Sequence, residues 1–170
     1  LFSLTSFELL AANRYWVAAD DGSIKYFDDS ANWTASRNGT TGGASAPGRN
    51  DVAIFGENAS SSNVNCVIKS TTIIKQLKLK PNYNATVSLN DNLNLHIKQH
   101  FGIWSSSTLS LGTDSQLFTQ QATSYIYNGG TLSAANAKKV QFFSVLDIRS
   151  GGTFIAVSYT HLTLPTTKQV

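Results

Sequence analysis

Few side chains in this 170-residue sequence have the type and spacing that chemistry requires. Two acidic pairs, Asp20-Asp21 and Asp28-Asp29, offer the paired carboxylates that glycoside hydrolysis needs. Adjacent residues on a strand point to opposite faces, so neither dipeptide forms such a pair by itself, and turn formation explains both. Asn90-Asp91-Asn92-Leu93-Asn94 spaces oxygen ligands like a calcium loop but lacks the glycine and distal glutamate of an EF-hand. His96 and His100 are placed to share a metal on a helix. On an extended strand they stand about 13 Å apart, too far for one ion. Leu95 and Ile97 claim the inner face, which turns His96 outward. The single cysteine, Cys66, alternates with Val64 and Ile68 and reads as a buried thiol. No nucleotide loop, Gly-x-Ser-x-Gly elbow or His-Glu-x-x-His motif is present. The sequence therefore predicts no catalytic residue, no cofactor and no metal site.

Composition sets the frame for these residues. Hydrophobic residues make up 41% and charged residues 14%, against a usual charged share of about 25%. Nine Phe, six Tyr and three Trp supply enough apolar mass for a core, which excludes disorder. A sequence this rich in Ser, Thr and Asn favours strands and turns. The net charge of +3 rests on scattered cations. In the densest cluster, Lys75, Lys78 and Lys80, the lysines alternate with apolar residues from Leu77 onward as the outer face of a strand, so nucleic acid is not an expected partner. No apolar run approaches the roughly 18 residues of a membrane helix. Methionine is absent, so residue 1 is not read as a natural start.

Along the chain, helical signals are nearly missing. Residues 1–13 are left unassigned: Phe7 to Ala12 fit a turn or two of helix, and Glu8 argues against a secretion signal. Tyr15-Trp16-Val17 starts a strand, Ile24, Tyr26 and Phe27 suggest another, and a Gly/Ser/Thr-rich loop spans Ser36 to Asn50. From Asn63 onward, short runs alternate apolar and polar residues, each bounded by Asn, Asp, Gly or Ser. Period-two alternation without helices fits a β-solenoid or a β-sandwich. Leu-x-Leu echoes at Leu77, Leu93 and Leu109, sixteen residues apart, favour the solenoid and predict one coil per echo. Asn90-Asp91-Asn92 and Asn128-Gly129-Gly130 suit tight corners, because Asn and Gly tolerate left-handed φ. Asn-x-Ser/Thr triplets stand at Asn32, Asn38, Asn58 and Asn84, the pattern of glycan acceptors in eukaryotic secreted proteins.

Arg14-Tyr15-Trp16-Val17, Ala31-Asn32-Trp33, Gly42-Gly43-Ala44-Ser45-Ala46-Pro47 and Asp51-Val52-Ala53-Ile54-Phe55 stand in a particular order. Together they resemble the opening coil of bacterial and phage-associated β-solenoid surface proteins, similar to autotransporter passengers. Ala18-Ala19-Asp20-Asp21 departs from that pattern, which has a glycine-rich run there. The resemblance implies an all-β, right-handed β-solenoid over residues 14–156, with Trp16, Trp33, Pro47 and Phe55 forming an N-terminal cap. It further implies a non-enzymatic structural or adhesin module, extracellular, on a cell surface or on a phage virion. Surface glycans or a host-cell surface are the partners it implies. A carbohydrate-binding or polysaccharide-lyase β-helix is the alternative, with exposed Trp and Tyr faces as sugar platforms. Residues 157–170, which include His161, resemble the translated read-through of a sequencing-library adapter. On that reading they belong to no evolved fold, and coils continue past Ile155.

Overall fold

The computed structural model describes residues 11–58, 61, 63–121 and 123–156. The readings for residues 1–10 and for the tail at 157–170 lie outside the described residues. What is described is a β-solenoid of three parallel sheets.

Strand β1 (Asn13–Trp16) leads through a 3-10 turn (Ser30–Asn32) to the two-residue β2 (Trp33–Thr34). The first full coil is β3 (Val52–Phe55), β4 (Cys66–Ile68) and β5 (Thr72–Ile74). The second is β6 (Gln76–Leu79), β7 (Thr86–Leu89) and β8 (Asn94–Ile97). The third is β9 (Phe101–Ile103), β10 (Thr108–Leu111) and β11 (Gln116–Thr119). The fourth is β12 (Ser124–Ile126), β13 (Thr131–Ser133) and β14 (Lys139–Phe142), and β15 (Leu146–Ile148) and β16 (Thr153–Ile155) begin a fifth. Each strand hydrogen-bonds its counterpart in the next coil, giving three ladders: β2-β1-β3-β6-β9-β12-β15, β4-β7-β10-β13-β16 and β5-β8-β11-β14. We call these the first, second and third sheets. Stacked parallel sheets, not two facing sheets, distinguish this arrangement from a sandwich.

The alternation seen in the sequence becomes the core. Leu77, Leu79, Val87, Leu95, Ile97, Leu109, Leu117, Ile126 and Leu132 are fully buried, while the residues between them face out. The interior is one continuous cluster through the coils. Corners are tight turns closed by an amide three residues on, as in Gly130 N–H to the Tyr127 carbonyl and Gly152 N–H to that of Arg149. Left-handed residues recur at matching corners: Ser105, Asn128 and Ser150 between the first and second sheets, Asn92 and Asp114 between the second and third. Asn92 and Asn128 take the role their residue type predicts.

The expected coil length is corrected. Leu77 pairs in register with Phe101, and Leu109 stands between Val87 and Leu132. A coil therefore takes 21 to 24 residues across the three sheets. Leu77 lies in the first sheet and Leu109 in the second, with Leu93 half-buried at the corner before β8. Sixteen residues is the advance over two strands, and a three-sided coil needs three. The strand expected over Ile24 to Phe27 is a single bridge, Tyr26 to Val67, and Ile24 is exposed.

At the N-terminal end β1 extends the first sheet in parallel and β2 then pairs with it antiparallel, reversing the chain across the opening. Asp51 closes the long loop beneath: its Oδ1 accepts the Ala12 amide at 3.1 Å and its Oδ2 the Gly48 amide at 2.9 Å. Gly42 packs so tightly on Ala31 that a Cβ there would meet the Ala31 carbonyl oxygen at 1.6 Å, which explains a glycine in the Gly-Gly-Ala-Ser-x-Pro segment. The opposite end is apolar and open among the described residues, with Phe143, Val145, Ile148 and Ile155 exposed.

Candidate functional site

Of the expected cap residues, Trp16, Trp33 and Phe55 come together. Trp16, Trp33 and Phe55 are wholly buried, and Pro47 is buried in the loop. Trp33 meets the rings of Trp16, Phe27 and Phe55 at 5.1–5.3 Å, and Tyr83 continues the stack beneath Phe55 at 5.0 Å. These are mostly edge-on and tilted contacts, the arrangement aromatic quadrupoles favour. The Trp33 indole N–H donates to the Phe27 carbonyl at 2.7 Å, and the Tyr83 hydroxyl donates to that of Val64 at 2.9 Å. Burial pushes the Tyr83 phenol well above its ordinary range. With no ring face open, this cluster plugs the coil and presents no sugar platform.

The acidic pairs serve the backbone. Asp21 accepts from the Ser23 amide at 3.0 Å and from Lys25 Nζ at 2.7 Å, and hydrogen bonds from Lys25 and Ser23 hold its carboxyl well below the usual range. Asp29 caps the 3-10 turn by accepting the Ala31 amide, and Asp28 lies 3.5 Å from Lys69. Asp91 accepts the Thr113 amide at 2.7 Å, joining two stacked corners. His96 faces out from the third sheet, stacked on Phe118 at 4.7 Å, while His100 precedes β9 in the first sheet. Among the described residues, no three His, Cys, Asp or Glu side chains gather as for a metal. No described helix is long and apolar enough to cross a membrane. Asn32 and Asn58 are buried, so neither triplet presents an accessible acceptor in the folded chain.

Cys66 points inward with Val64 and Ile68. Burial, with Asp28 adding to it, pushes its thiol up, so thiolate is scarce at neutral pH. A disulfide reagent should leave the folded protein unmodified and titrate one thiol per chain in denaturant. Rapid modification under native conditions would place Cys66 at the surface.

The outer face of the first sheet carries a site that the sequence reading missed. Ile54, Lys78, Gly102, Tyr125 and Asp147 occupy one outward ladder. Gly102 leaves room in it for a neighbouring ring. Trp104 folds back over that glycine, where a Cβ would meet its ring at 2.2 Å. Trp104 stacks on Tyr127 at 5.8 Å, Tyr127 on Tyr125 at 5.3 Å, and the Arg149 guanidinium lies 5.5 Å from Tyr127. Lys80 sits 5.8 Å from the Trp104 ring. Lys78, Lys80, His100, Gly102, Trp104 and Tyr125 line a groove of about 290 Å3. Burial and then the Lys80 charge lower the Lys78 ammonium below the ordinary lysine range. A larger hollow of about 570 Å3 lies between the Asp20–Lys25 turn and the second sheet, but it has no aromatic wall, and its Lys25 is paired with Asp21.

No protein family matches this chain, and neither a curated protein nor a solved structure is similar to it. The fold alone defines its class, a capped three-sided β-solenoid.

Proposed function

We propose that this chain is a non-enzymatic structural and adhesive module of an extracellular, cell-surface or virion-surface protein. The observation that carries the reading is the single apolar cluster running through successive coils, closed at one end by the aromatic plug. Each coil is held by the one before it, which gives a stiff rod at low cost in specialised residues. Its outer ladders carry groups at regular spacing, as a surface that engages glycans or a host cell requires. Charge fits the same reading, because Asp21, Asp29, Asp51 and Asp91 accept backbone amides and Asp28, Glu57 and Asp147 pair with cations.

One observation favours a second reading. Lys78, with its lowered affinity for a proton, stands beside Lys80 in the outer groove, as a base would in a polysaccharide lyase. Incubation with a panel of acidic polysaccharides separates the two. The adhesive reading expects retention of the polymer with no new reducing ends and no unsaturated uronate absorbance. Turnover that disappears in Lys78→Gln would establish the lyase instead.

A further inference from the structure

We infer that the groove beside Gly102, walled by Trp104 and Tyr125, is a binding site for an acidic sugar, a carboxylate-bearing pyranose within an oligosaccharide. The inference rests on the adhesive reading and names the ligand class and place. Three features converge. First, a glycine stands at an outward ladder position, and the Trp104 ring fills the space a side chain would take there, lying across the strand as one wall of the groove. Tyr125 forms the next rung, so the opening is bounded by two amphipathic rings. Such rings accept the apolar C–H face of a pyranose while its hydroxyls stay in water.

Second, the charge on the walls has one sign. Lys78 and Lys80 line the groove, and its lining contains no carboxylate. Lys80 keeps a loose contact with Glu57 at 3.9 Å, shared with the closer Arg37 pair at 2.9 Å. Lys78 makes no ion pair among the described residues and faces the like charge of Lys80. An anion between them relieves that repulsion, whereas a neutral sugar does not.

Third, the size suits a short ligand. The groove lies at the small end of ligand sites, which run about 300–1,000 Å3. It accommodates one or two rings of a glycan lying along the sheet. A nucleic-acid strand also stacks on aromatics, but it requires a cationic track for successive phosphates. Here the groove lining holds two lysines, Lys78 and Lys80, and the next cation along the stack, Arg149, is paired with Asp147, two rungs below Gly102 on the same ladder.

The experiment titrates the full chain with sialyllactose, a hyaluronan tetrasaccharide, lactose as the neutral counterpart of the first, and single-stranded oligothymidylate. Binding is followed by ligand-observed NMR and calorimetry at two salt concentrations. The expected result is binding of an acidic sugar, at least about tenfold tighter than lactose and weakened by salt. Trp104→Ala, Tyr125→Ala and Lys78→Gln should each weaken it by about tenfold or more. Lys69→Gln, at a cation beside Tyr26 on another face, should not. Far-UV circular dichroism confirms folding, and Lys78→Gln keeps the test valid should an aromatic variant fail to fold. Equal binding of lactose, preference for oligothymidylate, or no binding to either acidic sugar would overturn the inference. Sugar binding that survives all three substitutions would overturn the groove and leave the adhesive reading intact. Adhesion of the wild-type protein to cells, measured in parallel, shows whether that reading falls as well.

Discussion

Replacing Trp33 with alanine is expected to lower the unfolding free energy by about 3–5 kcal/mol. The side chain is wholly buried among Trp16, Phe27 and Phe55, and its indole N–H holds the Phe27 carbonyl. Truncation leaves a cavity at the end of the solenoid and an unpaired carbonyl beside it, two costs that add. Because coils stabilise one another in series, loss of the plug should also make the first coil fray before the rest. Hydrogen exchange should then rise first in β1 and β3. Chemical denaturation of Trp33→Ala gives the measurement. A midpoint unchanged from wild type, with glycan binding lost, would make Trp33 a ligand platform and not a plug.

The second large effect is expected in the middle of the rod. Leu109 is fully buried between Val87 and Leu132 in the second sheet. Leu109→Ala should cost about 2–5 kcal/mol, since neighbouring coils cannot close on the space without shifting their own ladders. Its neighbour Ser110 faces outward, so Ser110→Ala should stay within about 0.5 kcal/mol of wild type. Equal destabilisation by the two would contradict the inward and outward assignment of β10.

The parts legible in the sequence were those that local physics decides. Alternation in Leu77/Leu79 or Leu95/Ile97 specifies which side is buried, whatever the sheet. Trp16, Trp33 and Phe55, which the resemblance to an opening coil places in a cap, lie buried against one another at the N-terminal end, where an open coil face needs covering. The coil length was not legible from leucine echoes, because every strand repeats the same pattern and the echo does not say which sheet a strand joins. Inward positions also change type along a ladder: Leu77 is followed by Phe101, Ser124 and Leu146. The better signal lay in the corners, where Ser105, Asn128 and Ser150 recur at the coil spacing and take left-handed φ.

The groove escaped for a related reason. Lys78, Gly102 and Tyr125 become neighbours only once the coil length is known. Gly102 by itself reads as a weak point in a strand, and Trp104 as an isolated aromatic. Only register turns them into the lining of one groove.

Register is also the claim on which everything else depends, and crosslinking measures it directly. Ser88 and Ser110 are outward partners in adjacent strands of the second sheet. In a Cys66→Ala background, Ser88→Cys with Ser110→Cys should be bridged efficiently by a short bifunctional thiol reagent such as dibromobimane. Ser88→Cys with Trp104→Cys, the spacing of the sixteen-residue echo, should not be bridged, because Trp104 follows β9 on another face. Bridging of the second pair in preference to the first would contradict the three-sided coil, and with it the cap and the groove.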